Sequence, residues 1–205
     1  MFSASTLAAF LAAGLVIVLL PGSGQALVLA RSLAGGFRAG LAATCGLNTG
    51  TVLHAVAAGF GLSAVLATSA TAFTVIKLVG AGYLVLLGVL TWRAGVRTAP
   101  AGGARQGGYL SAVLIGVLNP KVALFFLAFL PQFVDPGRGA VLAQFLVLGL
   151  ILAALSVAWD CVLSLAAHAV SLGLTASQRV ARWRARITGG LFVGLGVRLA
   201  FAEQR

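Results

Sequence analysis

The sequence predicts an all-α integral membrane protein: six transmembrane helices forming two inverted three-helix repeats, with the first and fourth helices broken. Three observations carry this expectation. The 205 residues are 60% hydrophobic and only 8% charged, with a mean hydropathy of +1.09, whereas soluble domains carry about 25% charged residues. Six apolar runs are each long enough for the roughly 20 residues that cross a bilayer as helix. A proline-centred interruption recurs at matching places in the first and fourth runs.

Taken in order, the runs fall near Ser5 to Leu29, Gly40 to Val65, Phe73 to Trp92, Tyr109 to Phe133, Val141 to Val170 and Ile187 to Ala202. They form one transmembrane domain over residues 1–205, with a first repeat at about 4–92, a basic loop at 93–108 and a second repeat at about 109–202. The first run is read as part of the fold rather than a cleaved signal, because no basic segment precedes it and five similar runs follow. Lys77 lies about a turn inside the third run, where its stem snorkels to the interface, and Arg198 does the same in the short sixth run.

The net charge of +11 arises from 14 Lys and Arg against Asp135, Asp160 and Glu203. Its placement argues against nucleic acid as a partner. Arg31 and Arg38 sit in the first connection, Arg93, Arg97 and Arg105 in the third, and Arg179, Arg182, Arg184 and Arg186 in the fifth; the second and fourth together hold only Arg138. By the positive-inside rule these odd-numbered connections face the cytoplasm and its anionic lipid, which leaves both termini outside. This is the pattern of a multi-pass membrane protein.

Laid over each other with Pro21 on Pro120, the halves align "LVIVLLPGSGQALVLA" with "AVLIGVLNPKVALFFLA", Gly40 with Gly139 and Gly50 with Gly149. Each half has three spans, so the two insert upside down relative to one another, as in many secondary transporters. Proline removes a backbone N–H and clashes with the carbonyl four residues back, and in lipid the freed groups find no water. In "LPGSGQ" Pro21 is joined by Gly22 and Gly24, which hold a helix poorly, and by polar Ser23 and Gln25. "LNPK", with Asn119, Pro120 and Lys121, repeats the device. Paired broken helices point to a central site whose helix N-termini suit a carboxylate and whose freed carbonyls suit an ammonium.

Asp160 is the one carboxylate away from the loops and chain ends, and an intramembrane charge normally serves a substrate, a partner or a proton path. It is a candidate for the substrate ammonium or a coupling proton, and equally for pairing with Lys121. Lys121 itself has three available roles: meeting a substrate carboxylate, neutralising Asp160, or capping exposed carbonyls. His54 is a candidate proton relay, against the commoner fate of a neutral imidazole bonded inside the bundle; His168 has a weaker claim. Asn48 sits with Thr44, Thr49 and Thr51 in "TCGLNTGT". The small-residue pairs Gly46/Gly50 and Gly190/Gly194 indicate close helix packing and allow a homodimer without requiring one. No zinc cluster, phosphate loop or nucleophile elbow occurs, so neither an enzyme nor a cofactor is expected.

These residues also resemble a known family. Pro21-Gly22 ending the first run, "GFRAGLAATCGLNTG" at Gly36 to Gly50, "KLVGAGYLVLLG" at Lys77 to Gly88, "NPKVALFFLAFLPQFV" at Asn119 to Val134 and "GGLFVGLGVRLA" at Gly189 to Ala200 together resemble the lysine-exporter (LysE/RhtB) family of bacterial amino-acid exporters, over nearly the whole chain. The resemblance implies that Pro21, Gly22, Asn119, Pro120 and Lys121 frame the translocation site; Asp160 looks like the aspartate of some members. Where the family usually has a second proline, this chain has Ser23, which restores an N–H and frees φ. The implied function is proton-driven export of amino acids by alternating access. Rival readings are a thiol-disulfide electron carrier using Cys45 and Cys161, a metal-cation exporter, and a structural membrane subunit. The first lacks a group to lower a thiol pKa, and the second has one membrane carboxylate and no cysteine cluster.

Overall fold

The computed structural model describes residues 2–68 and 108–171, with isolated helical positions at 75, 78, 79, 82, 85, 86, 89 and 197. The expected third and sixth spans, the basic loop, Lys77, the side chain of His168 and the Gly190/Gly194 pair lie outside the described residues. Among the described residues the fold is entirely helical. Two helices are long and apolar enough to cross a membrane, and a bent pair adds a third.

Helix α1 spans Ala4–Leu19, opened by Ser3, whose hydroxyl accepts the Thr6 N–H at 3.1 Å and so satisfies one of the orphan donors of the first turn. Leu20 turns extended ahead of Pro21, and α2, Ser23–Thr68, begins two residues later. The connection expected between the first two runs is not a loop. Gly36 alone, at φ 73° and ψ −174°, interrupts α2, a conformation that glycine adopts without steric cost. The arms 23–35 and 37–68 fold back on each other there: a Cβ on Gly40 would meet the Ser32 hydroxyl, Val28 clusters with Ala43, and a Cβ on Gly24 would meet Leu47. The repeat alignment pairs Gly139 with Gly40, yet among the described residues the glycines with positive φ are Gly36 and Gly139. A glycine identity is matched by chance more easily than a backbone need.

The second broken helix comprises α3, Tyr109–Val117, and α4, Pro120–Leu124, which runs on through a π-helical turn at Phe125–Phe129 and a 3-10 turn at Leu130–Phe133. Its two parts meet at 44°. The first and second broken helices run antiparallel along their whole length. Phe10 packs on Phe125 and Phe133, Lys121 reaches Leu20, Gly24 lies beside Asn119, Val28 clusters with Ala112, and Arg31 reaches Ser111.

Helix α5, Val141–Ser171, packs antiparallel on the long arm of α2. A Cβ on Gly40 would fall 2.6 Å from the Ser164 hydroxyl, one on Gly149 2.4 Å from the Ala55 methyl, and one on Gly59 2.7 Å from Leu142. This register sets Thr44 level with Asp160 and Asn48 level with Ser156. Gly46 and Gly50 pack on α3 within the chain, where Cβ atoms would meet the Ala112 methyl at 2.6 Å and the Gly116 carbonyl carbon at 2.6 Å. Lipid gives apolar helices no reason to associate, so close backbone approach at small residues supplies the dispersion contact.

The core has an aromatic end and a small-residue end. Phe10, Phe125, Phe126, Phe129 and Phe145 are buried together with Ile17, Leu130 and Leu148. Fully buried Gln144 closes this end: its amide donates to the Asp135 carbonyl at 2.7 Å and the Gly139 carbonyl at 3.1 Å, and its oxygen accepts the Asp135 N–H. The opposite end is the α2 turn at Gly36.

Candidate substrate-binding site

The two breaks adjoin, and each frees backbone carbonyls. Pro21 has no N–H for the carbonyl of Ile17 four residues back. The Lys121 ammonium replaces it, donating to the Ile17 carbonyl at 2.9 Å and to the Leu20 carbonyl at 2.9 Å. The Gln25 side-chain amide takes the Val18 carbonyl. Of the three roles open to Lys121 in the sequence, these contacts fill the carbonyl cap. A direct pair with Asp160 is absent: among the described residues the one ion pair within 4 Å joins exposed Arg138 and Asp135.

At the second break the repair is local. Pro120 frees the Gly116 carbonyl, which accepts the backbone N–H of Asn119 at 3.2 Å. His54 reaches the Val117 carbonyl at 3.0 Å and stacks on Phe126 at a centroid distance of 6.2 Å. Asn119 also caps α4, its side-chain oxygen accepting the Lys121 N–H at 3.1 Å. The N-terminus of α2, in contrast, follows Gly22, which has no side chain with which to cap it.

A cavity of about 70 Å³ lies between the breaks. Its walls bring together Gly24, Gln25, Asn48, Asn119, Lys121 and Asp160, six residues singled out from the sequence, drawn from α2, α4, α5 and the second break. Thr51 and Ser156 add hydroxyls, and Ile17, Val18, Leu47, Val122, Phe125 and Leu152 supply apolar wall. Pro21, Gly22, Ser23 and Pro120 shape the breaks without lining the cavity, and His54 lies outside it. Ser23 is exposed at the first position of α2; proline also fits there, since that N–H has no helical partner in either case. The cysteines are free and lie off the cavity, Cys45 exposed and Cys161 half-buried.

Sequence reasoning missed Ser156 and the apolar wall. Ser156 sits one turn before Asp160 on α5, so the i, i+4 spacing was the available signal. Asp160 is 6% exposed and opens onto the cavity with Lys121 across from it. The Asn48 amide donates to the Thr44 carbonyl at 2.9 Å, which leaves its buried side-chain oxygen without a partner. One wall is therefore cationic and rich in N–H groups, while the other is anionic and rich in acceptors.

The profile of the LysE type translocator family matches residues 15–203. An uncharacterized membrane protein of Vibrio cholerae is 37% identical over 205 residues, covering 95% of this chain and 96% of the relative. The homoserine/homoserine lactone efflux protein of Salmonella typhimurium is 35% identical over 145 residues, 69% of this chain and 70% of its own. The leucine efflux protein of Enterobacter sp. strain 638 is 30% identical over 189 residues, 90% of each chain. No solved structure matches. The relatives with named functions are efflux proteins, transporters and not enzymes. The chain belongs to the LysE type translocator family of membrane transporters.

Proposed function

We propose that the chain exports small neutral amino acids across the bacterial cytoplasmic membrane. The observation that carries this reading is the placement of Lys121 and Asp160 on one cavity without an ion pair between them. An ammonium with one N–H left over from the Ile17 and Leu20 carbonyls, and a carboxylate outside any ion pair, face one space and complement a zwitterion. The substrate carboxylate sits between the uncapped N-terminus of α2 and Lys121, whose Nζ is 3.6 Å from where a Cβ on Gly22 would be. The substrate ammonium meets Asp160 and the unpartnered oxygen of Asn48. The rest of the wall is mainly aliphatic and aromatic and offers no second charge to a charged side chain. Relatives named for leucine and homoserine efflux support this substrate class.

Transport follows alternating access between two inverted repeats, with the breaks at Pro21 and Pro120 as hinges. Asp160 couples the cycle by exchanging a proton for the substrate ammonium, so that proton entry from outside resets the carrier. The test is mass spectrometry of extracellular amino acids from cells fed mixed dipeptides, with an empty vector, the protein and Asp160→Asn. Leucine, homoserine or a similar neutral amino acid is expected to accumulate outside only with the unmodified protein. Removal of a charge made for substrate costs Asp160→Asn roughly ten-fold or more in export. Coincident profiles at equal expression would refute the reading.

A further inference from the structure

Four hydroxyls on the inner faces of α2 and α5 behave in two ways. Ser32 and Thr51 bond back to the carbonyl four residues earlier, at 2.8 Å and 3.4 Å, which is how Ser and Thr ordinarily satisfy themselves in a membrane helix. Thr44 and Ser164 do not. Both are 0% exposed, and their hydroxyl oxygens have no hydrogen-bond partner. A buried hydroxyl left unpaired costs about 1–3 kcal/mol, so alanine or valine would pack more cheaply at either place. The two are also close in space to Asp160. Thr44 is level with it across the α2–α5 interface, and Ser164 is one turn further along the same face of α5. At the next level the two serine hydroxyls crowd together over the bare Cα of Gly40: a Cβ there would fall 2.0 Å from the Ser32 hydroxyl and 2.6 Å from that of Ser164.

We propose that Thr44, Ser164 and Ser32 form a second polar site, beside the substrate cavity, that binds water and carries protons between Asp160 and the Gly36 end of the bundle. The proton step rests on the proposed role of Asp160 as the coupling group. Water at this site gains the several polar partners that a buried water needs. The Asp160 carboxyl passes its proton to the adjoining oxygen and becomes a carboxylate. Each oxygen along the line accepts one proton and releases another, and the last is taken by bulk water beyond Ser32. The charged groups nearest this line on the described elements are Lys121, across the cavity from Asp160, Arg31 beside Ser32 in the chain, whose Nη2 donates to Ser111 at 3.4 Å and whose buried Nε has no partner, and exposed Arg38 just past Gly36. Arg31 places a fixed positive charge at the exit and favours release of the proton over its retention.

Water access is measurable without any transported substrate. In the full chain with Cys45→Ser and Cys161→Ser, single Thr44→Cys or Ser164→Cys replacements are reacted in lipid nanodiscs with a small methanethiosulfonate ammonium reagent. Ala58→Cys and Ala128→Cys, equally buried in the apolar core, are the controls. Labelling at positions 44 and 164 is expected to be about ten-fold faster than at the controls, because only a hydrated thiol ionises and reacts; equal rates would overturn the site. The proton step is tested in proteoliposomes with the amino acid found in the export assay. The double variant Thr44→Val with Ser164→Ala is expected to lose about ten-fold in pH-gradient-driven flux while substrate exchange stays within about two-fold. Parallel loss of both, or of neither, would overturn it. If the unmodified protein shows no exchange at all, the exporter reading falls and the proton step with it, and the labelling rates then judge the water site on their own.

Discussion

The two breaks begin from the same covalent fact and resolve it differently. At Pro120 the freed Gly116 carbonyl is taken by the next backbone N–H, that of Asn119, so the chain tightens on itself. At Pro21 the backbone runs out into Gly22, and the freed Ile17 carbonyl waits for an ammonium 104 residues away in the sequence. The first break is thus held by the second. This asymmetry explains why one lysine in the membrane is tolerated: the carbonyls it satisfies cannot turn to water, and its charge answers both the α1 C-terminus and the carboxylate across the cavity. It also leaves the α2 N-terminus open while the α4 N-terminus is closed by Asn119.

If the first break depends on Lys121, its removal is the largest effect expected. Lys121→Met keeps the length of the side chain but strands two carbonyls and an unbalanced carboxylate, at about 1–3 kcal/mol for each buried polar group left unpaired. Melting in detergent should fall by several degrees and export should be lost. A variant with unchanged melting would show that the break satisfies itself. Packing behind the second break ranks next. In Gly116→Ala the new Cβ would lie 2.7 Å from the Leu47 carbonyl oxygen, so α2 and α3 must separate, at about 1–3 kcal/mol by overpacking. Melting again reads it, and no loss would mean that the helices slide apart freely. The smallest effect belongs to His54→Phe, which removes one exposed hydrogen bond to Val117 but keeps the stacked ring, about 1 kcal/mol or less. Equal losses from His54→Phe and Lys121→Met would abolish the contrast between the breaks.

Legibility followed the same contrast. Pro21 and Pro120 were readable as breaks because proline's defect is local and covalent, and of the residues near them Gly24, Gln25, Asn119 and Lys121 line the cavity while Gly22 and Ser23 do not. Asp160 stood out by the cost of its charge. What could not be read was the partner of each freed group. "NPK" in sequence suggests a lysine held near its own proline, whereas Lys121 crosses to the other break. Nothing in the spacing of "TCGLNTGT" says which oxygen stays unpaired, and the fate of His54 turned on where Val117 ends its helix.

The sequence by itself determined that this chain lives in a bilayer, that its helices break at Pro21 and Pro120, and which family it belongs to, because apolar length and proline act through their own neighbours. The tertiary structure decided that Gly36 turns the chain, that Gly46 and Gly50 serve contacts within it, and that Lys121 and Asp160 face one cavity without an ion pair. Those outcomes depend on the register of helices packed against one another. Register is set by small residues meeting backbone across an interface, and a single strand of sequence does not contain its own partner.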